Sequence, residues 1–254
     1  MWILAEYQPT TFFSLRPYTA TTSGGKSLLV PTPFAVKMAL LDAAIRTQGL
    51  ERGRESFPAI RDLRVAVRLP RYVLVNNTFV KIWRINDSVT KKGKVEKPRL
   101  IAKAMAEHKW PFHSNIGFRE YVQFSGPLTL AFQGMEMAAL APLLEQVNYL
   151  GKRGGFMQLL HAPEAAEELP DGFTVLTESV NGAFPLGTLQ MVDDCGPRLT
   201  FEQVDVYSIK GMKAGKDRVF HHVVLPHRPV RFSRGFTLYA VGGRAGIGIP
   251  ALRS

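Results

Sequence analysis

The sequence predicts an α+β fold with an elaborated N-terminal domain and a β-rich C-terminal part. Two observations support this prediction. Up to residue 162, segments with the alternation and the aromatic and β-branched residues of strands are interrupted by two segments with helical apolar spacing. From residue 163 onwards, the sequence consists of short strand-like segments without a strong helix pattern. With 254 residues, the chain can bury a sizeable core.

The first predicted strand and helix flank a polar loop. Residues 2–15 alternate loosely and indicate a strand, and the loop 16–31 follows it. Thr32 can cap a helix that has Pro33 at its first position, and Gly49 can end that helix. The apolar face predicted for this helix consists of Phe34, Met38, Leu41 and Ile45.

The loop contains Gly24-Gly25-Lys26-Ser27, which matches the end of a nucleotide-binding P-loop. A P-loop has another glycine five residues before its second one, and its Lys-Ser leads directly into a helix. Here Ala20 occupies the position of that glycine, and Pro31 and Pro33 prevent a helix from starting at Ser27. We therefore expect no ATP or GTP site. Lys26 and Ser27 are better assigned to an RNA phosphate, and a flexible connector is the alternative.

The middle of the chain combines strands with a basic insertion. Residues 63–69 alternate strictly, and residues 72–85 continue as a strand. At about 84–119 the apolar pattern fails, and nine Lys and Arg against three acids give this stretch +6 of the chain's net charge of +11. Trp83, Trp110 and other aromatic residues interleave with these charges and can stack on unpaired bases. The pattern predicts an exposed, nucleic-acid-binding insertion, with a lysine-rich solvated loop as the alternative.

A second set of strands and a helix completes the N-terminal domain. Residues 118–124 and 126–132 indicate strands, a helix is predicted between Met135 and Gly151, and residues 156–160 indicate a short strand. The order is that of the ferredoxin-like βαββαβ fold with a long insertion. We expect this domain over residues 1–162 and a small β-rich domain over residues 163–254. The strands predicted in the second domain are 174–177, 188–192, 201–209, 219–225, 230–232 and 236–241.

Charge and cysteine content narrow the function class. The 32 Lys and Arg residues against 21 acids, and a pI of about 9.9, favour a polyanionic partner, above all nucleic acid. Cys195 is the only cysteine, which excludes an intrachain disulfide and makes a Cys-based zinc site implausible. Residues 1–7 lack a basic leader, and no apolar run is long enough to span a bilayer. We expect a cytoplasmic protein without a membrane partner.

A glycine-rich turn offers a second candidate RNA contact. In Gly151-Lys152-Arg153-Gly154-Gly155, glycines allow close approach of the backbone and the two cations supply charge, which suits a phosphodiester chain. The alternative is an ordinary helix C-cap at Gly151. The RNA-binding residues proposed from the sequence are Lys26, Ser27, Lys152, Arg153, Gly154, Gly155, Arg84, Lys91, Lys92, Lys94, Lys97, Arg99 and Lys109.

Catalytic and metal signals are sparse. None of the six histidines has metal-ligand spacing to a second ligand, and Asp193-Asp194 fits a turn as well as a metal site. His108 and His113 in the insertion are candidates for the base and acid of a metal-independent ribonuclease, with a structural or solvated histidine as the alternative reading of each. We favour a non-catalytic protein and expect no cofactor and no metal.

Five segments together resemble the CRISPR-associated Cas-five family, subunits of type I Cascade complexes. They are residues 17–22, the Pro-Thr-Pro helix start at 31–33, Arg119-Glu120-Tyr121-Val122, Gly126-Pro127-Leu128, and residues 148–156. The resemblance covers about residues 1–160. It implies a RAMP-type ferredoxin-like domain whose insertion is a basic β-hairpin thumb and whose Gly151–Gly155 turn is the family's glycine-rich loop.

The resemblance also implies a function in antiviral defence. Such subunits bind the 5′ handle of the CRISPR RNA and cap the backbone subunits next to the large subunit of the ribonucleoprotein. It leaves contact with target DNA open. In one subtype the related subunit is itself the nuclease that processes precursor CRISPR RNA, and its catalytic residues match no residue here. A basic ferredoxin-like RNA-binding protein outside CRISPR systems is a third hypothesis.

Overall fold

The computed structural model of the chain describes residues 1–18, 20, 25–86, 96–151, 154–181 and 185–242. Within these ranges, the helices are α1 (Pro33–Gln48), α2 (Leu50–Arg61), α3 (Lys97–Ala106), α4 (Met137–Leu144) and α5 (Phe201–Val204). The strands are β1 (Trp2–Pro9), β2 (Arg64–Arg68), β3 (Tyr72–Ile85), β4 (Phe112–Phe124), β5 (Leu128–Gln133), β6 (Met157–Leu159), β7 (Glu164–Ala166), β8 (Thr174–Val175), β9 (Thr188–Cys195), β10 (Arg218–Leu225), β11 (His227–Phe232) and β12 (Phe236–Val241). None of the helices in these ranges is long and apolar enough to cross a membrane.

The main sheet is antiparallel and has apolar residues on both faces. Its strand order is β6-β1-β5-β2-β8, and β7 also pairs with β1. Ile3 and Tyr7 of β1 belong to the main core, together with residues of α1 and α4. Trp2 on the opposite face packs with Ala66 and Ala131 in a smaller cluster. The alternation predicted for these strands therefore corresponds to two buried faces.

Helix α1 confirms the capping prediction. The Thr32 side-chain oxygen accepts a hydrogen bond from the Ala35 amide at 3.2 Å, Pro33 begins the helix, and Gly49 ends it with a φ of 91°. Helix α2 follows directly and was not predicted. It has few buried residues and contains a proline, so its sequence lacks a clear helical pattern. It packs closely against α1: a side chain at Gly53 would clash with Ile45.

A second antiparallel sheet has the order β11-β12-β3-β4. Strands β3 and β4 form a long hairpin whose register runs from Val73 opposite Phe124 to Ile85 opposite Phe112. The C-terminal strand β12 pairs with β3, so both sheets contain strands from residues after 163. The molecule is thus a mixed α/β protein built on antiparallel sheets, as the coarser fold prediction stated.

Three predicted elements differ from the structure. The helix expected up to Gly151 ends at Leu144 instead, two residues after Pro142. The strand expected over 201–209 begins instead with α5, because Thr200 and Gln203 form a capping box that favours a helical turn. The first strand ends at Pro9 rather than residue 15, and Phe13 then forms an isolated bridge to Val122.

Candidate nucleic-acid interface

Three chain segments meet beside the base of the β3–β4 hairpin. We call them the loop cluster: residues 10–16, residues 25–27, and the turn at Gly151, Gly154 and Gly155. The segment 10–16 lies in the middle. On one side, the Phe13 amide donates to the Val122 carbonyl at 2.9 Å, and the Ser14 hydroxyl donates to the Glu120 carbonyl at 2.9 Å. These bonds attach the segment to β4.

The glycine-rich turn lies on the other side of the same segment. The Thr11 hydroxyl donates to the Gly154 carbonyl at 2.6 Å and accepts from the Phe156 amide at 3.2 Å. The Leu150 amide donates to the Gly155 carbonyl at 3.0 Å, which closes the turn. Since α4 ends at Leu144, Gly151 is not the C-cap of that helix. Gly151 has a φ of 81°, a backbone conformation that favours glycine.

Residues 25–27 are held by Glu120, which belongs to the Arg119–Val122 segment quoted above for its resemblance. The Glu120 amide donates to the Gly25 carbonyl at 2.8 Å, and the Glu120 carboxylate accepts from the Ser27 amide at 2.7 Å. A side chain at Gly25 would clash with the Phe118 carbonyl. The Ser27 hydroxyl accepts from the Leu15 amide at 3.0 Å, and the neighbouring Lys26 side chain is exposed. Ser27 thus supports the loop, while Lys26 faces solvent.

The second group of predicted RNA-binding residues lies at the far end of the hairpin. We call this region the hairpin tip: residues 79–86, 112–118 and α3. The pair Ile85–Phe112 lies ten residues further along β3 than the pair Val75–Val122, roughly 30 Å at the rise of a strand. Arg84, Lys97, Arg99 and Lys109 are exposed there. The structure therefore places the exposed Lys26 and Gly154 on two segments that both bond to residues 10–16, with Gly155 buried next to Gly154. The described cations of the insertion lie in a separate group.

One face of the hairpin tip is apolar and aromatic. Because paired residues of antiparallel strands share a face, Phe79 lies beside Phe118, Lys81 beside Ile116, and Ile85 beside Phe112. The Phe79 and Phe118 rings meet edge to face with centroids 5.8 Å apart. Phe79, Ile116 and Trp83 are 75%, 74% and 61% exposed, and the Lys81 ammonium lies 4.9 Å from the Trp83 ring centroid. A contiguous exposed apolar face of this kind marks an interaction site.

Some predicted residues lie outside the described ranges, namely Lys91, Lys92, Lys94, Lys152 and Arg153. Of the remaining cations, Lys109 forms an ion pair with Glu107 at 2.8 Å, and this hydrogen bond lowers the pKa of the Glu107 carboxyl.

His108 is exposed with a φ of 53°, while His113 Nδ1 is buried without a hydrogen-bond partner among the described residues. Across the described part of the chain, no group of three His, Cys, Asp or Glu side chains could hold a metal ion.

Sequence reasoning missed the buried charges next to the loop cluster. Asp193 and Asp194 lie on β9 and are buried, which corrects their assignment to a turn or a metal site. Arg218 Nη2 lies 2.6 Å from Asp193 Oδ2, and Lys37 Nζ lies 2.6 Å from Asp194 Oδ1. One signal in the sequence could have indicated a buried ion pair: Lys37 is a charged residue among the apolar positions of α1.

Comparison with known proteins identifies a homologue. No protein-family model matches the sequence. The CRISPR-associated protein Cas5 of Archaeoglobus fulgidus is 23% identical over 225 residues, which span 87% of this chain and 91% of that protein. The chain is a homologue of Cas5. The resemblance predicted from the five short segments is thereby confirmed, and it extends beyond residue 160.

Two solved structures are similar to the chain as well. A crystal structure of a CRISPR protein from Archaeoglobus fulgidus has a TM-score of 0.44 at 14% identity and covers 95% of this chain and 92% of that one. A chain of a CRISPR RNA-guided surveillance complex has a TM-score of 0.45 at 15% identity, with 88% of this chain and 87% of that one covered.

Proposed function

We propose that the chain is a CRISPR RNA-binding subunit of a type I Cascade complex. It holds the 5′ handle of the CRISPR RNA and caps the backbone subunits next to the large subunit. The single observation that supports this most strongly is the sequence similarity to Cas5, which spans 87% of the chain. A net charge of +11 agrees with a polyanionic partner.

The strand order supports the proposed architecture. In a ferredoxin-like βαββαβ domain, the third strand lies between the first two, and the fourth flanks the first. The order β6-β1-β5-β2 corresponds to this arrangement when the β3–β4 hairpin is treated as an insertion between the second and third strands. We assign the hairpin as the thumb of a RAMP-type domain, and the domain boundary at residue 162 is part of the same proposal.

The hairpin tip offers two kinds of RNA contact. Exposed cations on and beside α3 can neutralise phosphates, and the exposed rings of Phe79 and Trp83 can stack on unpaired bases. The loop cluster adds the exposed Lys26 and the exposed backbone of Gly154, next to the buried Gly155. Thr11 bonds to Gly154, and Leu15 bonds to Ser27 beside Lys26. In our proposal the RNA contacts both regions. The accompanying subunits and CRISPR RNA should copurify with the chain from its native host.

A charge-matched pair of triple variants tests the RNA contacts at the hairpin tip. Arg84→Ala with Lys97→Ala and Arg99→Ala removes three tip cations, and Lys210→Ala with Lys213→Ala and Lys216→Ala removes three exposed cations elsewhere. Affinity for repeat-derived RNA is measured by fluorescence anisotropy over a range of salt concentrations. Each lost phosphate contact should reduce the slope of log affinity against log salt by about 0.7. We expect a reduction of about 2 for the tip variant and a wild-type slope for the control. Equal slopes for the two triple variants would disprove the tip contacts.

A further inference from the structure

A small cavity opens beside the loop cluster, between the start of α1 and the turn at Gly151. Its volume is about 220 Å³, and most of its wall is apolar or aromatic. The lining residues that matter here are Phe34, Ala35, Tyr149, Gly151, Asp193 and Arg218. Gly151 connects the cavity directly to the turn that we propose as an RNA contact. A side chain at Gly151 would place its Cβ 2.7 Å from Leu15 Cδ1, so glycine permits this close approach.

The polar end of the cavity is a built site rather than a solvated surface. Asp193 is only 4% exposed, and its Oδ2 accepts from Arg218 Nε at 2.6 Å. The Arg218 guanidinium lies 4.1 Å from the Phe34 ring centroid and 4.9 Å from that of Tyr18. Two rings and a carboxylate therefore fix its position. Among the described residues no hydrogen bond to Asp193 Oδ1 is found, so this oxygen of a nearly buried side chain remains available to a ligand in the cavity.

The size of the cavity limits the ligand to one ring system. Sites for drug-sized ligands occupy about 300–1,000 Å³, so a cavity of about 220 Å³ is too small for a complete nucleotide. Aromatic and apolar walls suit a flat ring such as a nucleobase. At the end of the cavity formed by Asp193 and Arg218 a phosphate is disfavoured, because the carboxylate already neutralises Arg218 and would repel a second anion. Arg16 is the other cation of the lining.

From these features we infer that the cavity binds one unpaired nucleobase that carries an exocyclic amino group. The amino group donates to Asp193 Oδ1. The Arg218 guanidinium, whose Nε and Nη2 lie 2.6 Å from the other oxygen of that carboxylate, can donate a remaining N–H to a ring acceptor of the same base. Adenine, cytosine and guanine have such a group, and uracil has none. This inference rests on the proposed RNA-binding function and adds a base preference to it. The turn at Gly151 would carry the flanking phosphodiester past the mouth of the cavity.

The sharpest test compares two RNA probes that differ in this group. Oligocytidylate and oligouridylate of equal length have bases of nearly the same size, but only cytosine presents an amino group. We expect the wild-type chain to bind oligocytidylate about tenfold more tightly at fixed salt, the lower end of discrimination by a good base contact. Ala35→Met fills the cavity without changing charge and should remove this preference. The matched control, Ala138→Met, places the same side chain on an exposed position of α4 and should retain it.

A second variant protects the test against a folding defect. Asp193→Asn retains the shape of the side chain but offers a weaker acceptor, so it should reduce the ratio of the affinities for oligocytidylate and oligouridylate. Because it also leaves Arg218 without its carboxylate, affinity for both probes should rise, and the ratio is therefore the readout. Thermal unfolding of each variant is measured alongside. Equal affinity of the wild type for both probes, with no effect of Ala35→Met, would overturn the base site alone. Absence of salt-dependent binding to either probe would overturn the proposed RNA-binding function itself.

Discussion

In the loop cluster, hydrogen bonds donated by the Thr11 and Ser14 hydroxyls and accepted by the Glu120 carboxylate link three chain segments to one another and to β4. At the hairpin tip, by contrast, the face that includes Phe79, Trp83 and Ile116 is largely exposed. The loop cluster therefore presents few side chains in a fixed geometry, whereas the tip presents many side chains on a two-stranded ribbon. The difference indicates that the loop cluster suits precise contacts, such as a base pocket, and that the tip suits broad electrostatic and stacking contacts.

The largest expected difference concerns one lysine beside the loop cluster and one at the hairpin tip. Lys37 and Asp194 are 2% and 6% exposed and form a buried ion pair beside the loop cluster. Lys37→Met removes the ammonium group from a buried carboxylate whose other ionisable neighbour, His221 Nε2, is 3.7 Å away, and it should reduce the free energy of unfolding by about 3–5 kcal/mol. Lys97→Met at the exposed tip should change it by no more than about 0.5 kcal/mol. Urea denaturation followed by circular dichroism measures both. Adding Asp194→Asn to Lys37→Met should restore part of the loss, and similar effects of the two lysine variants would contradict the comparison.

A glycine in the loop cluster should be the next most sensitive position. A Cβ at Gly25 would clash with the Phe118 carbonyl, so Gly25→Ala must displace the loop from β4. We expect a loss of stability of about 1–3 kcal/mol, as for other overpacked sites. Gly211 has no atom within 4 Å of the corresponding position and serves as the control. Gly211→Ala should change stability by no more than about 0.5 kcal/mol. If Gly25→Ala is as mild as its control in thermal unfolding, residues 25–27 are not held as described.

The smallest expected effect is a pH dependence of the free energy of unfolding, which comes from His227 outside both regions. His227 Nε2 donates to the Pro70 carbonyl at 2.8 Å at the start of the hairpin, and burial lowers the pKa of this imidazole despite that bond. Below the ordinary histidine pKa of about 6.5, the unfolded chain binds a proton that the folded chain resists. The stability contributed by neutral His227 is therefore complete above about pH 6.5 and is lost as the pH falls.

His227→Gln should flatten this part of the stability profile, measured by urea denaturation at several pH values between about 5 and 8. His222→Gln, on the exposed side of β10, is the matched control and should retain the wild-type decline. A profile of the His227→Gln variant that declines as steeply as the wild type would show that His227 does not contribute to the pH dependence.

Local signals in the sequence were sufficient for much of the framework. The cap at Thr32, the proline at Pro33 and the break at Gly49 each act within a few residues, so α1 was predicted with its observed bounds to within one residue. The alternation of β2, β3, β10 and β12 is equally local, and these strands were found close to their predicted positions. The charge of the insertion is a matter of composition alone.

Other features depend on contacts between distant residues. Helix α2 has only a narrow buried face and is stabilised by its packing against α1, which no local pattern reveals. The helix within the basic insertion, α3, was equally hidden in a stretch judged only by its charge. The pairing of Asp193 with Arg218 joins two strands that are separated by more than twenty residues, and Lys37 reaches Asp194 from a third element.

By itself, the sequence determined which segments form strands, where α1 begins and ends, where positive charge accumulates, and that the chain resembles Cas5. Only the tertiary structure decided which of those charges come together. The segment of Lys26 and the turn at Gly154 belong to one region because residues 10–16 form hydrogen bonds with both, through Leu15 and Thr11. The described cations of the insertion lie at the far end of the hairpin instead. The physical reason is that propensity and capping act over a few residues, whereas a binding surface is defined by hydrogen bonds and packing between segments far apart in the chain.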